Sequence, residues 1–258
     1  MIGKYNLATL KPDINHAFAA ASGGNDILFD WTPIEIPVGT CVLKTIQGTI
    51  IGINGSTGNA ADFQLFFAKS IDGVAPVTFG TVHAATTATI AATFRRNIIG
   101  QVFVDASAVN VADLTYNVIT IGGQSSSADH VGDGGCQLYL QGEPHVTRKG
   151  FQTIYVAGLA HGAAQDYGTD VDLNMPSSAN IDADTTGSPV TIAVGGTDAR
   201  LVFQPGDLLI GETGTTEMEV VSVDSATAMK VKNITAQIDH AEQLILKNPI
   251  DLALGLEY

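Results

Sequence analysis

Residues 190–232 read VTIAVGGTDARLVFQPGDLLIGETGTTEMEVVSVDSATAMKVK, and this stretch decides the fold class. Apolar and polar residues alternate within its short runs. Met229 and Val231 fall on one face of an extended chain, and Lys230 and Lys232 fall on the other. That period of two is the signature of a half-buried strand. Val190–Val194, Leu208–Ile210, Glu217–Val223 and Ala228–Lys232 read as strands. Phe203-Gln-Pro-Gly-Asp207 reads as a turn, in which Pro205 presets φ and Gly206 takes the angles other residues avoid. Gly211–Thr216 and Asp224–Thr227 supply the remaining connections. Ala236–Gln243 reads as a helical turn, and Leu244–Leu246 closes the module.

The same pattern extends toward the N-terminus. Ile27–Trp31, Cys41–Ile53, Phe63–Lys69, Ile98–Val104, Tyr116–Ile121 and Cys136–Gln141 are β-rich runs, and Phe151–Val156 is one more. Asn54-Gly55 and Ile71-Asp-Gly73 mark turns, and 55–62 reads as a surface loop. The expected architecture is all-β. An antiparallel β-sandwich or jelly-roll-like domain spans 26–157, a linker spans 158–188, and a small β-barrel-like module with a C-terminal tail spans 189–258. The linker, rich in Gly, Asp, Ser, Asn and Thr, is expected to carry little core, with short order near Val171–Met175. Residues 1–25 read as an arm. Asp13 is placed to cap a short helix through Ala21, ended by Gly23-Gly24.

Composition agrees. The chain has 258 residues, 28 of them Gly, with 45% hydrophobic and 15% charged residues, so it is neither disordered nor helix-rich. Twenty-six acidic residues against 12 basic ones give a net charge of −14, a field that repels phosphate backbones and argues against nucleic acid as a partner. Residues 1–150 hold 11 acidic and 8 basic side chains, whereas 151–258 hold 15 and 4. Either the second half faces outward from whatever the first half touches, or acidic loops simply keep a β protein soluble. No run approaches the ~20 apolar residues of a membrane helix, and the N-terminus lacks the apolar core of a signal peptide. The expectation is synthesis and assembly in cytosol, away from membranes.

Chemistry-bearing motifs are few. There is no G-x-S-x-G, and His83, His130, His145 and His161 sit in no nucleophile motif. Asn180-Ile-Asp182-Ala-Asp184 begins like a calcium loop, but Thr185 stands where the loop needs Gly and Thr191 where it needs Glu. Asp129, His130 and Asp133 share a Gly-rich loop without a ligand pattern. Gly132–Gly135 leads into a strand, not the helix that a phosphate loop requires. Glu217 and Glu219 share a strand face, roughly 7 Å apart, a spacing open to glycosidase chemistry. The single tryptophan, Trp31, lies far from them in sequence. Cys136, alternating with Leu138 and Leu140, reads as a buried free thiol, with a disulfide to Cys41 left open. No catalytic residue, metal or cofactor is expected. The docking candidates come from the two ends of the chain: Tyr5, Leu7, Leu10, Ile14 and Phe18 from the arm, and Leu252, Leu254, Leu256 and Tyr258 from the tail. The arm also has the option of packing along its own domain. Arg95 and Arg96, the one adjacent arginine pair, suit an acidic partner or a salt-bridged loop.

Two groups of motifs carry a resemblance. Val194-Gly-Gly-Thr-Asp198, Leu201-Val-Phe-Gln-Pro-Gly-Asp-Leu-Leu209 and Met218-Glu-Val-Val-Ser-Val-Asp-Ser225 resemble a small β module common in virion proteins of tailed phages. Gly48-Thr-Ile-Ile-Gly52 and Leu65-Phe-Phe-Ala-Lys-Ser-Ile-Asp-Gly-Val74 resemble structural proteins of large marine phages. These motifs lie within Pro189–Met229 and Leu43–Val77, which together span about a third of the chain, and they specify turns and core positions rather than a site. The resemblance implies a capsid decoration, or cement, protein on the virion surface, made in host cytoplasm. Its implied partners are the major capsid protein and itself, as a homotrimer. The alternative it leaves open is a tail or fibre component that binds host glycans.

Overall fold

The computed structural model describes residues 4–14, 26–51, 62–82, 84, 95–104, 116–121, 137–161, 180–195, 198–211, 215–239 and 244–258. These residues are nearly all β, in three antiparallel sheets. The first sheet has the order β1 (Tyr5–Leu10), β15 (Ile250–Glu257), β3 (Cys41–Ile51) and β6 (Tyr116–Ile121), and β7 (Leu138–Leu140) shares the long β3 with β6. The second has the order β2 (Ile27–Pro37), β9 (Phe151–His161), β4 (Asp62–Ala68) and β5 (Ile98–Val104), with β8 (Glu143–Pro144) also on β9. The third runs β10 (Val190–Ala193), β13 (Ala228–Lys232), β12 (Glu217–Ser225), β11 (Leu208–Gly211) and β14 (Leu244–Leu246), as an open path.

The first two sheets make a sandwich because their strands alternate. Leu252, Leu254 and Leu256 of β15, Leu43 and Ile46 of β3, Phe63, Leu65 and Phe67 of β4, and Ile154 and Val156 of β9 join one buried cluster. The intervening residues face outward, as a period of two requires. The outer face of the second sheet is covered by the segment after β4. Phe79 stacks on Trp31 at 4.7 Å and meets Phe66 edge-on at 5.4 Å. Two hydrogen bonds pin it: Trp31 Nε1 donates to Val77 O at 3.0 Å, and Phe79 N donates to Asp30 Oδ1 at 3.0 Å. Gly158 is needed beneath the Phe29 ring, because a Cβ there would stand 2.3 Å from a ring carbon.

The two chain ends fold differently from the arm and tail of the sequence reading. β1 and β15 pair along their whole length, from Tyr5↔Glu257 to Leu10↔Leu252, and β15 then pairs with β3. The last strand thus lies inside the sandwich sheet, and the third sheet is built from chain inserted between β9 and β15. Ile250, Leu252, Leu254 and Leu256 alternate with Asp251, Ala253, Gly255 and Glu257, a pattern suited to a strand with one buried face. Asp13 and Ile14 are not helical, and the rest of the expected Asp13–Ala21 helix lies outside the described residues. Ile14 is buried, and its N donates to Lys247 O at 3.4 Å.

The segment read as a linker also divides. Residues 158–161 continue β9, and 162–179 lie outside the described residues. Ile181 and Asp184 bridge to Ile238 and Ile234, so this stretch belongs to the third sheet's surroundings, and Ile238 is extended where a helical turn was expected. The turn at Pro205-Gly206 forms with Gly206 at φ +95. Asp198 caps an unexpected helical turn, α1 (Ala199–Val202), by accepting from Arg200 N at 3.0 Å.

Candidate functional site

Among the described residues an open cleft of about 340 Å³ is lined by Lys69, Ser70, Ile71, Arg96, Gln141, Gly142 and Glu143. Ile71-Asp-Gly73 builds one wall as a two-residue turn, with Asp72 at φ +55 and Gly73 at φ +75. Such a turn aims successive N–H groups at one point. Glu143 fills that point. Its carboxylate accepts from Ser70 Oγ at 2.8 Å, Asp72 N at 2.7 Å and Gly73 N at 2.8 Å. The Gly73 N–H above all, then the Ser70 hydroxyl and the Asp72 N–H, hold the carboxyl below its ordinary range. The cleft is therefore closed chemically by the chain's own acid: the nest that would take an anion is occupied by Glu143. Arg96 lines this cleft and Arg95 is exposed beside it.

Elsewhere several ionisable groups are held in ion pairs. Lys232 Nζ lies 2.8 Å from Glu219, and Lys247 Nζ lies 2.7 Å from Glu217, so the two carboxylates on β12 are each held by a separate lysine. Burial works against the Lys247 charge, but Glu217 and Asp13, the latter 3.2 Å away, more than offset it and raise its pKa. Glu35 takes both His145 Nε2, at 3.2 Å, and Arg148. His145 Nδ1 accepts from Thr147 N at 3.2 Å and Arg148 N at 3.0 Å, which puts the ring proton on Nε2 and leaves neither nitrogen for a nucleophile. His161 packs edge-on against Phe103. His83 and His130 lie outside the described residues.

The calcium-like segment is spent on local bonds. Asp182 accepts from Gln237 Nε2 at 2.9 Å, Asp184 accepts from Thr186, and Asn180 Nδ2 donates to Asp239. Among the described residues no three His, Cys, Asp or Glu side chains converge as a metal site. Residues 129–135, with Asp129, Asp133 and Gly132–Gly135, lie outside them. Cys41 is a free buried thiol that donates to Pro37 O at 3.3 Å, and burial pushes its pKa up against the hydrogen bond from Gln152. Cys136 lies outside the described residues.

The docking candidates split sharply. Leu10, Ile14, Leu252, Leu254 and Leu256 are fully buried, which corrects their reading as contact residues: they are the folded chain's own core. The physical reason is pairing. β1 and β15 cover each other's backbone, and their inward side chains meet the second sheet. Phe18 lies outside the described residues. Tyr5, Leu7 and Tyr258 remain outside the core, at 73%, 68% and 45% exposure. The register lines Tyr5, Glu257, Val42 and Tyr139 in one row across the outer face of the first sheet, with Tyr139 at 65% exposure. Between them Ala253 and Gly255 leave β15 low, and Lys44 closes an ion pair with Glu257 at 3.1 Å. The face bears two tyrosines and a leucine, and Lys11 and Lys44 are paired with Asp251 and Glu257. Tyr139 was not among the sequence candidates. Its signal was the Cys136–Gln141 alternation, which puts it opposite Leu138 and Leu140.

No family model, no curated protein and no solved structure matches this chain. No helix of the described residues is long and apolar enough to cross a membrane.

Proposed function

We propose that this protein is a structural subunit of a tailed-phage particle that decorates and stabilises the capsid, without catalysis or cofactor. The observation that carries the reading is the outer face of the first sheet. It presents Tyr5, Leu7 and Tyr139 on the sandwich, while Glu143, Glu217 and Glu219 are each engaged within the chain. Tyrosine and leucine exposed on a sheet face suit docking, because large side chains with few rotors bury area at small entropic cost. Apolar area removed from water contributes about 25 cal/mol per Å², less the cost of association. The acidic second half, which contains the third sheet, then faces solvent. The major capsid protein is the proposed partner, and the virion surface the proposed location. The phage-like motifs support the particle, and the exposed face supports docking as the mode of action. Trp31 is engaged with Phe79 and Val77 rather than open as a sugar platform, so the glycan-binding reading gains no support from it. Cryo-EM of particles assembled with and without the protein tests the proposal. Density on the shell, lost with the Tyr139→Ala and Tyr5→Ala double variant, is expected; density confined to the tail would overturn it.

A further inference from the structure

Every open sheet carries two edge strands, and an unprotected edge is a template for another strand. Most edges here are blunted. β2 carries Pro33 and Pro37 and two register shifts against β9. β10 has four residues and β14 has three. β5 follows Arg95 and Arg96 and has a register shift at Ala68↔Ile98. β1 has none of these devices. It reads YNLATL, six residues without charge or proline, and its register with β15 is unbroken.

The backbone of β1 is half satisfied. Lys4 and Tyr258 exchange both hydrogen bonds, N to O at 3.2 and 3.0 Å. In an antiparallel pair this exchange recurs at every second residue, so Asn6, Ala8 and Leu10 bond to β15. The N–H and C=O groups of Tyr5, Leu7 and Thr9 therefore point away from β15, to a side on which no described strand pairs with them. All three residues are exposed.

We infer that two copies of this chain pair β1 to β1, antiparallel, about a two-fold axis at Leu7. That register sets Leu7 against Leu7 of the second copy and Tyr5 against its Thr9, so each outward donor meets an acceptor. The occupant is a second copy because the strand is its own complement in length and in charge. Its six residues are uncharged, Lys4 falls opposite Leu10, and Lys11 is already held by Asp251 at 2.7 Å. No like charges are set directly opposite, the arrangement that would otherwise discourage such a pair. The first sheets of the two copies then run as one, and Tyr5 and Leu7 of both form a single apolar stripe. Two apolar residues per copy bury much less than the roughly 800 Å² per partner of a standard interface, so the pair is weak. It is also a pair, not the trimer that the phage resemblance implies. The inference stands apart from shell docking, because a dimer in solution is measured without any particle.

Sedimentation equilibrium from about 1 µM to 1 mM, the range in which a weak pair forms, is the test, with amide hydrogen exchange at both ends of that range. A monomer–dimer equilibrium is expected. The amides of Tyr5, Leu7 and Thr9 gain protection with concentration, while those of Asn6, Ala8 and Leu10 are protected throughout. Leu7→Lys, at an exposed position whose backbone does not bond to β15, should weaken the dimer at least tenfold and leave the melting temperature unchanged. A monomer at every concentration would overturn the inference. So would a trimer, a dimer without added protection at those three amides, or a dimer indifferent to Leu7→Lys.

Discussion

Replacing Leu254 by alanine separates a terminal strand that is core from a tail that merely docks. Leu254 is fully buried on β15, between Leu252 and Leu256 on the same face. Its neighbours across the ladder are Ala8 of β1 and Ile46 of β3. Ala8 has no side chain long enough to swing into the space, and Ile46 is stiff at χ1. The cavity therefore stays open, and the cost falls in the middle of the range for buried leucines, about 3–4 kcal/mol. In a chain of this size each kcal/mol moves Tm by ~2–4 °C, so a fall of about 6–16 °C is expected. Urea unfolding followed by circular dichroism gives the free energy, and a thermal scan gives the shift. Leu7→Ala is the control. It lies on the neighbouring strand but is 68% exposed, and should change stability by less than about 0.5 kcal/mol. If the two variants cost the same, or Leu254→Ala costs nothing, β15 is not a buried strand and the terminal pairing is wrong.

Gly158→Ala should destabilise by about 1–3 kcal/mol, because the new methyl meets the fully buried Phe29 ring, and Phe29→Leu in the same chain should recover part of the loss in a urea titration. The Glu143 carboxyl titrates lower in the fold than in the unfolded chain, so its contribution is complete above the unfolded pKa of ~4.3 and fades as pH falls through the lower folded value. Tm measured from pH 2.5 to 7 should drop more steeply below pH 4.3 for the native chain than for Glu143→Gln, and parallel profiles would show that the nest holds nothing. Cys41, buried with its pKa raised, should resist an aromatic disulfide reagent in the native state and react at once in denaturant; rapid native labelling of Cys41, located by mass spectrometry, would contradict its placement.

Much of the fold was legible because strand patterning is local. Ile98–Val104, Tyr116–Ile121, Ala228–Lys232 and Leu244–Leu246 form where alternation and turn residues put them. The Ile71-Asp-Gly73 turn follows from residues that tolerate positive φ. β1 was not legible. Tyr5 and Leu7 point outward, and Ala8 and Leu10 point inward, so the two faces carry equal numbers of apolar residues and the hydrophobic count does not identify the buried one. The α1 turn was hidden for another reason. Its cap, Asp198, follows a Gly-Gly-Thr run that reads equally well as the start of a β turn. The cleft was half visible. Ser70 through Gly73 announced a turn, but nothing near Glu143 in sequence announced its bonds with that turn, some seventy residues away.

By itself the sequence determined that this chain builds antiparallel strands with one buried face each, since a period of two with Gly, Pro and Asn punctuation admits little else. It also determined the acidic surplus and its concentration in the second half. Only the tertiary structure decided which strands are neighbours. The first and last strands share a sheet because pairing satisfies their backbone groups and lets both bury their inward side chains against the second sheet. That choice turned Leu252, Leu254 and Leu256 from a docking strip into core, and left Tyr5 and Leu7 exposed on the edge strand of the described sheet. A residue's spacing along the chain fixes which face it shares, but whether that face meets protein or water depends on partners hundreds of residues distant.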